Sequence, residues 1–172
     1  MSTTILDRPA RTTPDAALYR KALSCFGTGV TVVTAHHDSQ DWGMTCNSFS
    51  SVSLEPPLVL WSIRKEASSL QAFTRSGGFT VSVLAQSQAA LAWLFATGAM
   101  RERFAGVPVH RQTSQRLRLD HAVAWVDCDI HQLVEAGDHI LVLGAVRDFG
   151  CTEADSLAFY RSQLGQFQAL IP

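Results

Sequence analysis

The chain has 172 residues, 47% apolar and 17% charged, with 14 Lys and Arg against 15 Asp and Glu for a formal net charge of −1. This is a folded composition, not a disordered one, and a length that fits one domain burying roughly 70% of its unfolded surface. Balanced charge leaves no electrostatic footprint for nucleic acid or for an anionic membrane, and no apolar run nears the roughly 18 residues that span a bilayer.

Residues 1–13, MSTTILDRPARTT, are polar and read as a flexible arm suited to lying on a partner subunit, ahead of a single domain over 14–172. Thr13-Pro14-Asp15 marks a helix start: Thr13 caps, Pro14 suits the first helical position and Asp15 complements the dipole. Leu18, Ala22 and Phe26 share a face of that helix, and Gly27 and Gly29 end it. GVTVVTA (29–35) is a strand by its β-branched content. HHDSQDWG (36–43) reads as a turn region, and MTCNSFS (44–50) as a second strand closing a hairpin. Pro56 and Pro57 interrupt regular pairing before the buried strand 58–63.

Ser68 and Gln71 form a capping box opening a short helix to Arg75. FTVSVL (79–84) is a strand, and Ser87 caps a helix over 88–96. Residues 97–118 read as a loop. Over 122–134, Ala124, Val126, Cys128 and Ile130 alternate with Trp125, Asp127, Asp129 and His131, the period of a half-buried strand. Glu135-Ala136-Gly137-Asp138 is a hairpin turn into a strand over 139–146. The tail, 157–167, packs as a strand or a helix. Six or seven strands with three short helices, in no regular alternation, predict a mainly β fold: a closed or nearly closed antiparallel barrel with helices at its ends.

The motifs of several chemistries are missing. No GxGxxG follows a strand, and GxxxxGK[ST], GxSxG and HExxH do not occur. His36 and His37 are adjacent and read as a solvated turn, so no metal site is assigned. Cys25, Cys46, Cys128 and Cys151 form no CxxC pair; with no signal peptide ahead of them, they read as reduced thiols of a cytoplasmic protein. Cys46 has no basic neighbour in sequence and reads as a small packing residue.

One stretch carries more. GMTCNSFSSVSLEPP (43–57) places Thr45, Asn47, Ser48, Ser50, Ser51 and Ser53 between two apolar strands. Hydroxyls here satisfy turn backbones, or they line a cradle for a flat heteroaromatic ligand whose ring nitrogens and carbonyls partner them. Gly43 permits close approach of another backbone or a ring. Arg64 and Lys65, just before Ser68 and Ser69, add cations beside hydroxyls, which suits a phosphate.

These residues sit in longer runs: FGTGVTVVTA (26–35), GMTCNSFSSVSLEPPLVL (43–60), ERFAG (102–106), AGDHILVLGAV (136–146) and LAFYRSQLGQF (157–167). Together they resemble the short-chain flavin reductases, which have the flavin-binding split-barrel fold of antiparallel, Greek-key type and serve as reductase components of two-component flavin monooxygenases. The resemblance runs from about Tyr19 to Phe167. It implies that Thr45, Cys46, Asn47 and Ser48 meet the flavin ring, that Ser51 lies near the ribityl chain, and that Ser62, Arg64, Lys65, Ser68 and Ser69 bind phosphate. Arg103 and Phe104 look like a loop closing over the cofactor. Gly137, Asp138 and His139 form the family's nicotinamide corner, with His139 as the catalytic candidate and Tyr160 and Arg161 bordering it. The chain departs from the family at Ser82, where Asn is usual, and at Ser162, where Gly is usual.

The implied reaction is hydride transfer from NADH or NADPH to FMN or FAD, with the reduced flavin passed to a monooxygenase and the reductase acting as a homodimer. The residues do not separate FMN from FAD or NADH from NADPH. Two rival readings stay open: a flavin-binding module without catalysis, and a split-barrel oxidase acting on a small substrate such as a pyridoxamine phosphate. The second needs a further phosphate site, for which Arg101, Arg103, Arg111, Arg116 and Arg118 are available.

Overall fold

The computed structural model describes residues 15–168. The arm read over 1–13, and Thr13 and Pro14 at the helix start, lie outside the described residues. Helix α1 spans Ala16–Leu23, with the Asp15 carboxylate accepting from the Ala17 and Leu18 N–H groups at 2.8 and 3.1 Å. The strands that follow are β1 (Thr28–Gly29), β2 (Thr31–His37), β3 (Gln40–Cys46), β4 (Ser50–Leu54) and β5 (Pro57–Arg64). Helix α2 (Leu70–Arg75) leads to β6 (Gly78–Val83), and a short 3-10 turn leads to α3 (Ala89–Thr97). The chain ends with β7 (Val109–Arg111), β8 (Leu117–Leu119), the long pair β9 (Ala124–Ala136) and β10 (His139–Cys151), and β11 (Leu157–Tyr160) with β12 (Gln163–Gln166).

Seven strands form one antiparallel sheet in the order β3-β2-β6-β9-β10-β5-β4. Laid flat, its two edges would stand about 29 Å apart at a strand spacing of about 4.8 Å. Those edges, β3 and β4, are joined by only Asn47, Ser48 and Phe49. Four Cα steps reach about 14 Å at most, so the sheet must roll up until its edges nearly meet, with the slit between them at Asn47–Phe49. The barrel is therefore open along one seam, between two strands consecutive in sequence.

The inside of the roll holds Val33, Trp61, Ile63, Phe73, Phe79, Val81 and Val142, all buried. The Trp61 ring meets Phe73 and Phe79 edge-on, with centroids 5.2 and 5.6 Å apart, a geometry favoured by the ring quadrupoles. A second cluster outside the sheet, with Val30, Val32, Leu84, Phe95, Leu119 and Leu157, packs α3 and β8 against it. Strand β2 lies between the two clusters, so Thr31 to Ala35 are buried on both faces. That explains why its sequence is a continuous β-branched run and not an alternating one.

Several expectations change. The hairpin turn expected over 36–43 is only Asp38 and Ser39, at φ 50° and 59°; the polar residues around it remain in paired strands. The single strand expected over 44–50 is broken at 47–49, where the chain crosses the seam. The prolines close a tight hairpin, since Leu54 pairs with Pro57. Helix α2 begins at Leu70 with Ser69 at its N-cap and no side-chain cap bond, so the Ser68 box does not form. Ser87 lies within the 3-10 turn; Gln88 Oε1 instead accepts from the Ala85 N–H at 3.0 Å. The expected loop 97–118 contains the β7–β8 hairpin, and the tail is the β11–β12 hairpin. Helix α1 ends at Leu23, before Phe26 and the glycines expected to close it, and it has no buried residue: Leu18 is 66% exposed, and Phe26, beyond the helix, is 78% exposed.

Candidate functional site

The seam positions the site. Past Leu60, where the pairing with β4 ends, β5 keeps β10 on one side and has no strand on the other. The Ser62 N–H on β5 faces that gap, and the Ser48 hydroxyl fills it, accepting from Ser62 N and Ser62 Oγ at 3.0 Å each. Cys46 Sγ lies 3.1 Å from the same hydroxyl. A hydroxyl thus stands in for a missing strand, and it holds the 46–48 segment against β5. On the other side, Thr31 Oγ1 donates to the Cys46 carbonyl at 2.7 Å and Thr45 Oγ1 to the Ala92 carbonyl of α3 at 2.6 Å.

The β9–β10 turn brings in the histidine. Gly137 sits at φ 60°, which a two-residue turn between twisted strands requires. His139 then pairs with Ala136 and with Arg64 of β5. Its Nδ1 lies 2.8 Å from an Asp138 carboxylate oxygen. The hydrogen bond from His139 and the neighbouring Arg64 charge hold the Asp138 carboxyl below the usual carboxylate range. A carboxylate can only accept, so Nδ1 carries the proton, and in the neutral ring Nε2 is left as the acceptor.

Three clefts meet at Thr45. The first, about 340 Å³, is lined by Met44, Thr45, Cys46, Asn47, Ser48, Ser62, Arg64, Ala67 and His139. The second is lined by Ser68, Ser69 and Arg103 with Met44, Ala67, the Phe95–Ala96 end of α3 and Met100. The third is apolar and runs beneath α3 to the tail hairpin. Seven of the residues singled out in the sequence therefore share one cleft, and three more share its neighbour. The Arg103 guanidinium donates to the carbonyls of Gly98 (3.0 Å) and Gly43 (2.6 Å) and has no carboxylate partner among the described residues. Burial pushes its pKa down, so an anion in that cleft would relieve it.

Other expected residues stand apart. Lys65 is drawn to Glu135 at 3.0 Å. Ser51 lies on the exposed edge strand β4. Ser82 is fully buried and accepts from the Leu119 N–H at 3.0 Å, so it faces β8 and not a cleft. Phe104 packs edge-on against Phe95 at 5.1 Å, and both rings lie where a Cβ on Gly43 would fall; the close approach at Gly43 is made by the protein's own rings. Tyr160 and Arg161 stack on each other at 5.3 Å, and Arg161 lines a hollow against α1, away from His139 in the same chain.

Sequence reading missed Met44, Ala67, Ala92, Trp93, Phe159 and Leu164, which form the apolar walls. The signal was present in the uniformly apolar AALAWLFA run, which is too apolar for a helix with a solvent face. Of the arginines kept open for a second phosphate, Arg111 is bound to Asp41 at 2.6 Å, Arg116 to Asp127 at 2.8 Å, and Arg118 stacks on Trp125. Among the described residues, no group of three His, Cys, Asp or Glu is placed to hold a metal, and no helix is long and apolar enough to cross a membrane.

The family described as "Flavin reductase like domain" matches residues 23–168. A flavin reductase of Pseudomonas putida is 37% identical over 162 residues, covering 93% of this chain and 95% of that protein. The reductase component of a flavin-dependent trigonelline monooxygenase from Acinetobacter baylyi is 38% identical over 83% of this chain; the chain spans about half of that protein, 46% of its length. Among solved structures, the NADH:FAD oxidoreductase SgcE6 of Streptomyces globisporus, in complex with NAD and FAD fragments, superposes with a TM-score of 0.85 at 36% identity, over 90% of this chain and 93% of that one.

Proposed function

The chain belongs to the flavin reductase-like family, and on that premise we propose that it oxidises NADH or NADPH to reduce FMN or FAD, and supplies the reduced flavin to a monooxygenase component. The observation that carries this reading is the single cleft that holds His139 together with Thr45 to Ser48. The residues suit a flavin: the polar pair Asn47-Ser48, in neither neighbouring strand, a guanidinium at Arg103 without a carboxylate partner among the described residues, and an apolar wall.

Bound flavin supplies the redox chemistry by accepting hydride from the nicotinamide. The protein's part is placement. Asn47 and Ser48 offer backbone N–H groups to the polar edge of the ring, where donors stabilise negative charge. Arg103, Ser68, Ser69 and Arg64 take the phosphate. His139, held by Asp138 through Nδ1, meets the nicotinamide carboxamide. Ser48 acts on the ligand through the backbone it fixes. Ser51, Lys65 and Ser82 are assigned no direct contact.

The reductase acts as a homodimer in the cytoplasm, with one flavin reductase-like domain. An eight-residue helix is not stable alone, and the exposed Leu18, Tyr19 and Leu23 on α1 give a second copy a surface to cover. Tyr160 and Arg161 reach a nicotinamide only across that dimer.

The test is anaerobic mixing of the protein with FMN or FAD and NADH or NADPH, followed by flavin absorbance. Bleaching is expected with at least one pair, and none with any pair sinks the reading. His139→Ala is expected to slow NADH oxidation roughly ten- to hundredfold while the flavin dissociation constant moves less than about twofold. Unchanged turnover removes His139 from the mechanism.

A further inference from the structure

The hollow between α1 and the β11–β12 turn, about 660 Å³, lies outside the three clefts that meet at Thr45 and is walled by Arg20, Lys21, Ser24, Cys25, Arg161 and Ser162. Arg20, Lys21 and Ser24 share one face of α1 and its C-cap, and Leu18, Tyr19, Ala22 and Leu23 share the opposite one. The apolar side offered to a second copy is therefore not the side that lines the hollow. Every Lys or Arg ion pair among the described residues involves Lys65, Arg111, Arg116 or Arg147, so Arg20, Lys21 and Arg161 have no carboxylate partner there. Cations in the last turn of a helix ordinarily complement its terminal carbonyls. Here those carbonyls already have donors. Arg20 O accepts from the Ser24 N–H at 3.0 Å, Lys21 O from the Ser24 hydroxyl at 2.7 Å, and Ala22 O and Leu23 O from the Cys25 and Phe26 N–H groups at 3.1 Å. Ser24 O accepts from the Arg161 N–H at 2.8 Å, which pins the turn to the helix end.

Like charges around one hollow repel, and an anion that enters relieves all of them. A single carboxylate leaves most of that charge uncompensated. A diphosphate carries several negative charges, and its oxygens match the guanidinium forks of Arg20 and Arg161 and the point charge of Lys21. The volume lies in the range of pockets that hold a whole small molecule. We propose that the hollow binds a diphosphate-bearing ligand, with Arg20, Lys21 and Arg161 on the phosphate oxygens and the Ser162 hydroxyl as a further donor. Ser162 stands where the resembling family usually carries glycine, so the site in this form is the chain's own. The diphosphate has two sources: a free nucleoside diphosphate, or the diphosphate of FAD or NAD(P)H held in the cleft of a second copy. Only the second source rests on the reductase reading.

The probe is inorganic pyrophosphate, titrated calorimetrically into the FMN-saturated protein so that the Arg103 cleft is already filled. Arg20→Gln with Lys21→Gln is expected to bind it about tenfold more weakly than the wild type, the scale of two screened charges. Arg20→Lys with Lys21→Arg keeps the charge and should bind within about threefold of the wild type. Both side chains are exposed on α1, and circular dichroism checks that the helix persists. Equal affinity in the wild type and the Gln variant overturns the proposal, as does citrate binding as tightly as pyrophosphate. Kinetics then read the source, each arm being a form of the proposed site. Pyrophosphate that competes with NADH, with a raised KM for NADH in the Gln variant at unchanged kcat, places the co-substrate's diphosphate in the hollow. Competition against FAD but not FMN places the flavin's there, and binding with neither competition assigns a free nucleoside diphosphate. Failure of the reductase reading shows separately, as a wild type that bleaches no flavin; the titration without FMN, compared between wild type and Gln variant, still reports the hollow.

Discussion

Ser162 holds a left-handed backbone at φ 62°, beside Arg161 at 49°, in the two-residue turn between β11 and β12. An L-residue there costs about 1 kcal/mol that glycine avoids, and glycine is what the resembling family usually carries. Ser162→Gly is therefore expected to stabilise the protein by about 1 kcal/mol, read as a higher urea midpoint at unchanged slope. An unchanged midpoint means that the serine makes a compensating contact in solution. Single side chains also show why polarity alone does not mark a ligand site. Thr45, Ser48, Ser62 and Ser82 all carry hydroxyls, yet Thr45, Ser48 and Ser82 hold α3, β5 and β8 in place. Cys128 is a parallel case among thiols: burial first, and then Asp127, push its pKa up to about 12, so it is inert.

At the scale of elements, the β7–β8 hairpin was hidden because its strands are three residues each, too short for the alternation of Leu117-Arg118-Leu119 to stand out, and Val109-His110-Arg111 has a single apolar residue. It persists through contacts distant in sequence. Thr34 Oγ1 donates to the Leu117 carbonyl, Gln88 Nε2 to the Asp120 carbonyl at 2.8 Å, and Arg116 grips Asp127 at 2.8 and 3.1 Å. Thr80 Oγ1 donates to the same carboxylate at 2.6 Å. Burial works against the Arg116 charge, and Asp127 and Asp129 outweigh it. Arg116→Ala strands a buried carboxylate and is expected to cost about 3–5 kcal/mol; Arg116→Met with Asp127→Leu should recover most of it. The measurement is chemical denaturation of the three proteins. Equal losses in single and double variants would show that the hairpin depends on packing and not on the ion pair.

For the whole molecule, the unfilled requirement is a cover for α1 and the edge strand β4, where Leu54 is 89% exposed. An open edge with apolar residues invites pairing unless it is hidden. Sedimentation of the wild type at micromolar concentration is expected to give twice the chain mass, and Leu23→Glu with Phe26→Glu should give the monomer. A monomeric wild type would remove the dimer and, with it, any place for Tyr160 and Arg161 at the nicotinamide.

The sequence by itself marked the long β-branched strands, the Gly137–Asp138 turn and the run of hydroxyls over 45–53, because β-branched runs, turn glycines and hydroxyl clusters act through neighbours a few residues away. It also marked His139, through a motif with a known family context. Only the tertiary structure decided which of those groups face the cleft. Period-two patterning says that a residue is on one face of a strand, but not what covers that face. Asp127 was read on the polar side of its strand and is buried, because Arg116 arrives from a hairpin eleven residues earlier. The seam has the same origin: three residues between β3 and β4 look like part of a strand until a seven-stranded sheet has to close across them.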